Sequence, residues 1–429
     1  MNARRVRILD LEVIEDPASF DDYLQLEGLT MAALRDSYPH LPLFLNASAL
    51  RMDVEGCWLG LGLHFNVMTS PRGLQELDIG SDGHGDVATV SRILRSPHSQ
   101  ALQKLKLWMI FSSSNGQPAS SKDIAELAAS IASIGTLRRL KFHCDDGSSA
   151  AWLVALVSHP NLEDLDTGPF PGTYSITPSL NKPLRSLQRL RLGNEFGRPI
   201  RLDQLDPHTS FLSALSSCPL RELSIEIDMT TSDDSHRAPR LQELLSAISC
   251  LKTLEHLAVF SDVDQYSVPG AVLSSLFSIR TLRVVKMDTI PLRLDGGAVR
   301  QMASSWRDIE HLSLGPDVPY KDPTMISVHD LSPFANHCPR LETLQMQIIE
   351  TQTQRPAERT TAQTLLRTLF FGQSRVPEGD LQAIASFVDE VFPETYVSFS
   401  DPGTTFQLLA LIDELSWRYD PCCCETTSG

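Results

Sequence analysis

One six-residue pattern returns along most of this chain, and no other feature restricts its possible folds as much. The pattern is an apolar residue, two variable residues, an apolar residue, one variable residue and usually a third apolar one. It reads LQELDI from Leu74, LQKLKL from Leu102, LRRLKF from Leu137, LEDLDT from Leu162 and LQRLRL from Leu187. It continues as LRELSI from Leu220, LEHLAV from Leu254, LRVVKM from Leu282, IEHLSL from Ile309 and LETLQM from Leu341. Weaker copies start at Val6 (VRILDL), Ala47 (ASALRM) and Glu394 (ETYVSF). Successive clear copies start 25 to 35 residues apart. A period of that length marks stacked supersecondary units, none of which can bury its apolar face alone.

The last four positions of each hexamer alternate apolar and polar, the period of a strand with one buried face. Helical patterns lie between the strands. Ile124, Leu127, Ala128, Ile131 and Ile134 fall at helical spacing behind Ser121, the expected cap. Leu241, Leu244, Leu245 and Ile248 form a second such set, and Val299, Met302, Ala303 and Trp306 a third. Pro or Gly closes several helices just before the next hexamer, as at His159-Pro160, Cys218-Pro219, Ile134-Gly135 and Cys338-Pro339. A doubly wound sheet would carry near-continuous Val/Ile strands, and these strands carry charges at alternate positions. The expected fold is therefore an α/β leucine-rich-repeat solenoid, a right-handed arc with a parallel concave sheet and outer helices. Residues 1–45 are expected to form an irregular, helical N-terminal cap with one weak repeat, and 46–349 the continuous array. Residues 350–418 are expected to form a helical C-terminal cap with a possible last strand, and 419–429 a disordered tail. Polar loops are expected at 111–120, 228–239 and 351–362.

Composition narrows the function classes. The 429 residues carry a formal net charge of −16, which repels phosphate backbones and argues against a nucleic-acid partner. No apolar run reaches the length of a membrane span. The N-terminal segment lacks a secretory apolar core, because Asp10, Glu12, Glu15 and Asp16 interrupt it. The expectation is a cytoplasmic or nuclear protein without a membrane partner. Its eight cysteines are read as buried free thiols where they stand singly, and as exposed tail thiols at Cys422, Cys423 and Cys424.

Residues 45 to 417 resemble the repeat region of the F-box-like leucine-rich-repeat proteins of mushroom-forming fungi. The hexamers carry the resemblance, with helix ends such as SCPLRELSI (217–225), HCPRLETL (337–344) and the helix–FP–strand–helix arrangement around Phe392-Pro393. The resemblance implies repeats that recruit a target, and an N-terminal F-box that docks the adaptor of a cullin ubiquitin ligase. An F-box opens with a Leu-Pro pair, an acidic residue and an Ile-rich helical stretch. Here Leu41-Pro42 runs directly into FLNASALRM and a repeat strand. Adaptor docking is thus implied only where an F-box lies upstream.

Catalytic motifs are weak by comparison. Gly80, Gly83 and Gly85 suggest a phosphate cradle before a helix, but the order is not the dinucleotide fingerprint, and Asp82 and Asp86 would repel phosphate. No zincin histidine spacing or nucleophile elbow is present. The expectation is a binding protein, not an enzyme, with no cofactor and no metal.

The candidate site lies on the outward positions of the strands. Hexamer positions one, four and six point inward, leaving three, five and the following seventh outward. The outward sets are Glu76 and Asp78; Lys104, Lys106 and Trp108; Arg139, Lys141 and His143; Asp164 and Asp166; and Arg189 and Arg191. Strands lie about 4.8 Å apart, so Lys104, Lys106, Arg139 and Lys141 would pool four cations beside Trp108 and His143. Like charges side by side cost energy unless an anionic group sits there. Lys104, Lys106, Trp108, Arg139, Lys141, His143, Arg189 and Arg191 are therefore the expected partner-binding residues. The expected partner is a protein with an acidic segment, or else a small anionic ligand.

Overall fold

The computed structural model describes residues 8–12, 48–53, 74–112, 120–144, 159–168, 184–193, 199–230, 234–261, 267–316, 326–349, 362–374 and 376–418. Leu41-Pro42, the loop 351–361 and the Cys422–Cys424 tail lie outside these residues. The chain forms two compact units, Met1–Arg198 with Ser217–Pro219, and Pro199–Ser216 with Leu220–Gly429.

In the first unit seven strands follow one another in sequence order. They are β1 (Ile8–Glu12), β2 (Ala49–Asp53), β3 (Glu76–Asp86), β4 (Lys104–Ser112), β5 (Arg139–Cys144), β6 (Asp164–Thr167) and β7 (Arg189–Leu192). Each pairs in parallel with the next. Both weak hexamers, at Val6 and Ala47, therefore supply strands. Inward positions of β3 to β5 are buried, including Leu74, Leu77 and Ile79, then Leu102, Leu105 and Leu107, then Leu137, Leu140 and Phe142. Helix α1 (Val87–Arg95) buries Val90, Ile93 and Leu94. It packs against α2 (Ser121–Ala132), which buries Ile124, Leu127, Ala128 and Ile131.

Three sequence expectations change here. The cap of α2 is Ser120, not Ser121. Counting from Ser120 places Asp123 at the third helical position, where its carboxylate accepts from the Ser120 backbone N–H at 3.1 Å. The Ser120 hydroxyl accepts from the Asp123 N–H at 3.2 Å, closing the capping box; counting from Ser121 would put Ile124 there instead. The glycine-rich stretch, weighed in sequence as a cradle ahead of a helix, is strand: β3 runs on to Asp86 and pairs with β4 as far as Ser112, with a register irregularity between Gly80 and His84. Gly80 and Gly85 are paired in register with β4, and Gly83 falls within the irregularity between them. For the same reason residues 111 and 112, expected in a loop, belong to β4.

A side-chain rung also recurs immediately before the hexamer. Thr136 Oγ1 donates to the Leu102 carbonyl at 2.7 Å, Asn161 to Gly135 at 2.8 Å and Ser186 to Pro160 at 2.8 Å. These bonds satisfy carbonyls left over where one repeat turns into the next.

The second unit repeats the plan. Its main sheet runs β8 (Ile200–Arg201), β9 (Glu222–Asp228), β10 (His256–Ser261), β12 (Val284–Met287), β14 (His311–Leu314), β15 (Thr343–Met346), β16 (Thr368–Phe370) and β17 (Tyr396–Ser398), all parallel. A second, two-stranded sheet joins β11 (Val268–Pro269) to β13 (Leu292–Arg293). The α-helices are α3 (Asp206–Ala214), α4 (Asp234–Ile248), α5 (Gly296–Ser305), α6 (Ser332–His337), α7 (Leu381–Val391) and α8 (Pro402–Arg418). Between β10 and β12 the chain instead forms a 3-10 helix, Gly270–Ser278.

The core of this unit centres on Trp306, which is fully buried, packs edge-to-face on Phe277 at 5.5 Å and donates to the Leu276 carbonyl. Cys338 lies buried beside it, donating to the Ala303 and Trp306 carbonyls, and burial pushes its thiol up to about 12. Cys218, which belongs to the first unit, is also buried, but Cys250 is exposed, contrary to the uniform buried reading.

Two further expectations change. Residues 234–239 are helix, not loop, because α4 starts at Asp234. Their polar composition is that of a helix turn in which His236 and Pro239 face solvent. In addition, LRTLFF from Leu366 is a repeat that the pattern search overlooks. Leu366, Leu369 and Phe371 are buried and the segment supplies β16, so the region beyond residue 349 contributes two strands, not one.

Candidate interaction surface of the first unit

The parallel register lines up the outward positions into two rows across β3 to β7. One row runs Glu76, Lys104, Arg139, Asp164, Arg189. The other runs Asp78, Lys106, Lys141, Asp166, Arg191. Their central part forms an open depression of about 210 Å³, lined by side chains that include Glu76, Asp78, Lys104, Lys106, Arg139 and Arg191.

The acids do not merely fringe this face; they neutralise much of it. Lys104 Nζ lies 2.9 Å from Glu76, Lys106 Nζ 3.3 Å from Asp78, Lys141 Nζ 3.5 Å from Asp166 and Arg189 Nε 3.0 Å from Asp164. Arg51 on β2 adds a 4.0 Å contact to Asp78. Asp78 Oδ1 is buried without a hydrogen-bond partner among the described residues, so the contacts of this carboxylate are those that cations make at its other oxygen. Arg139 and Arg191, both exposed, have no ion-pair partner among the described residues.

Trp108 is held by a feature that hexamer reading does not reveal. In register it sits beside Gly80, and its indole lies over that glycine so closely that a Cβ there would fall 1.8 Å from Trp108 Cε2. Lys106 Nζ stands 5.6 Å from the centre of the ring, a cation–π contact. The missing side chain at Gly80 is thus the seat of the indole, and it leaves Trp108 only partly exposed. His143 pairs in register with Trp108, but its side chain lies outside the described residues.

The corresponding face of the second unit has a different chemistry. Its rows read Glu222, His256, Val284, His311, Thr343 and Ser224, Ala258, Lys286, Ser313, Gln345, with few charges. Among the described residues no group of His, Cys, Asp and Glu is placed to hold a metal ion, and no helix is long and apolar enough to cross a membrane.

Parallel strands one repeat apart, a leucine core and helices between the strands make each unit a run of α/β leucine-rich repeats. The chain is similar to the solved structure of an internalin (InlF) from Listeria monocytogenes, with 11% identity over 90% of this chain and 92% of that one, at a TM-score of 0.39. It is also similar to TLR13, solved in complex with ssRNA13, with 15% identity over 83% of this chain and a TM-score of 0.40; it spans 47% of the TLR13 chain. No family model and no curated protein matches the sequence. The fold assignment rests on strand order and burial, not on these distant likenesses.

Proposed function

We propose that the chain is a protein-interaction scaffold that receives its partner on the sheet face of the first unit. One observation carries the reading: the register gathers ten charged side chains into two rows, nine of which line an open depression. Lys104 stands beside Arg139, and Lys106 beside Lys141. Such like-charge neighbours oppose sheet pairing, whereas alternating signs would keep the same surface soluble at no such cost. The neighbouring acids offset part of that repulsion, and a partner bearing acidic groups would offset the rest.

The resemblance to fungal F-box-like proteins supports a finer reading, in which the repeats recognise substrates for an SCF-type ubiquitin ligase. Docking to the cullin-ligase adaptor then depends on an F-box upstream. A freestanding adaptor or inhibitor would use the same face without any ligase, and a small anionic ligand could occupy its depression. All of these are binding roles, not catalytic ones.

Affinity capture from cell extract with the tagged chain and with Lys104→Glu/Arg139→Glu tests the surface. The double reversal is expected to lose the specifically captured partner while circular dichroism stays unchanged, and capture by the parent chain is expected to weaken as salt rises. Identical partner sets from both would reduce the face to solubilising surface. Purified adaptor added to the same beads reads the ligase branch: this sequence alone is expected to give no stoichiometric complex.

A further inference from the structure

We propose that Arg139 and Arg191 are the recognition residues of this face, and that together they grip two carboxylates of one extended acidic segment of the partner. The proposal rests on the reading that the first unit's sheet face is the docking surface, and it assigns the contacts within it.

The assignment follows from counting partners along each row. In the first row Glu76 holds Lys104, and Arg139 and Arg189 flank a single carboxylate, Asp164. Arg189 takes that carboxylate and Arg139 is left over. In the second row Asp78 holds Lys106, while Lys141 and Arg191 flank Asp166. Lys141 takes it and Arg191 is left over. Each row therefore carries one surplus cation, on a chain whose formal net charge is −16. The four engaged cations would have to surrender an internal acid to bind an external one, an exchange with little net gain. For Lys106 it is worse, because the half-satisfied Asp78 carboxylate would lose its nearest cation.

The surplus groups also suit the task chemically. Both are guanidiniums, whose planar fork meets a carboxylate with two parallel hydrogen bonds, and both are exposed and line the depression. Arg139 and Arg191 are two strands and two residues apart. From strand spacing and rise, that places their Cα atoms about 12 Å from each other. Side chains four residues apart on one face of an extended segment are separated by about 13 Å. A segment with Glu or Asp at positions i and i+4 matches the pair.

Fluorescence anisotropy with short labelled peptides tests this. The probes are a Thr/Ser-rich peptide with two glutamates four residues apart, the same peptide with one glutamate, and one with lysines in their place. The two-glutamate peptide is expected to bind the full chain about tenfold or more tighter than the one-glutamate peptide, and the lysine peptide not at all. Arg139→Gln/Arg191→Gln is expected to remove that advantage. Arg283→Gln/Lys286→Gln, in the second unit, is expected to preserve it. If Lys104→Gln/Lys106→Gln abolishes peptide binding and the arginine pair does not, the face binds but this assignment is wrong. If neither pair affects peptide binding and partner capture also survives Lys104→Glu/Arg139→Glu, the docking reading itself fails. Inorganic phosphate that displaces the peptide with equal affinity would overturn the segment in favour of a small anion.

Discussion

Leu140 and Lys141 are neighbours in β5 with opposite duties, so substituting each in turn tests the register on which every surface assignment depends. Leu140 is 2% exposed and stands between Leu105 and Leu165 in register, at 1% and 0%. Leu140→Ala removes the equivalent of three buried carbons at about 0.8 kcal/mol each and leaves a cavity that the surrounding leucines close only partly. The expected loss is about 2–5 kcal/mol. Lys141→Ala removes a 3.5 Å ion pair to Asp166. Arg191 lies beside the same carboxylate in register and can take it over, so the expected loss is about 1 kcal/mol or less. Urea unfolding followed by circular dichroism reads both. With a slope of about 1–3 kcal/mol per molar, the Leu140→Ala midpoint should fall by about 0.7 M or more, and the Lys141→Ala midpoint should barely move. A larger shift for Lys141→Ala than for Leu140→Ala would mean that β5 is turned by one residue and that Lys141 faces the core, and comparable shifts would equally refute this division of inward and outward positions. Leu190→Ala and Arg191→Ala repeat the comparison two strands away, with Leu190 1% exposed and Arg191 exposed.

Two other perturbations probe single sites. Gly80→Val should push the Trp108 indole off its seat, shifting tryptophan emission to the red and costing about 1–3 kcal/mol. Gly135→Ala, where an added Cβ meets nothing within 4 Å, should leave the emission unchanged; an unshifted spectrum in Gly80→Val would refute the seat. His208 is buried, and desolvation outweighs its bond to the Gln204 carbonyl, so its pKa falls from 6.5 to about 4. A histidine depressed in the folded state favours folding in its neutral form. Its contribution is therefore complete above pH 6.5 and is lost as pH falls from there to about 4, a change on the order of 3 kcal/mol. Urea unfolding of His208→Leu across that range should show a flatter pH dependence than the parent chain, and identical slopes would refute the assignment.

Strand positions were legible because burial imposes a period of two that short hexamers display fully. Leu77, Leu105, Leu140, Leu165 and Leu190 align across five strands as the spacing of the copies requires. The failures have local causes. LRTLFF at Leu366 fits the pattern but follows polar residues that suggested the array had ended, and burial of Leu366, Leu369 and Phe371 restores it. The cap of α2 moved by one residue because a capping box is decided by the acid three positions on, not by which serine comes last. The Ser, Thr and Asn rungs before the hexamers were invisible, since those residues are ordinary in any loop and acquire meaning only when a carbonyl of the preceding repeat lies within 3 Å.

The surface divides along the same line. Alternation predicts which side chains share a face, and the register confirms that Lys104, Lys106, Arg139 and Lys141 do. Alternation does not predict how they pair, because each acid on β6 has a basic neighbour on either side and the choice depends on side-chain reach. Asp164 goes to Arg189 and Asp166 to Lys141, each passing over the other candidate. Four basic residues that read as equivalent in sequence are therefore unequal in the folded chain. Lys104, Lys106 and Lys141 hold their own acids, and Arg139 is joined as a surplus cation by Arg191, which the sequence placed two strands away from the patch. What the proposed docking face offers is set less by the number of its cations than by which of them the neighbouring repeats leave unclaimed.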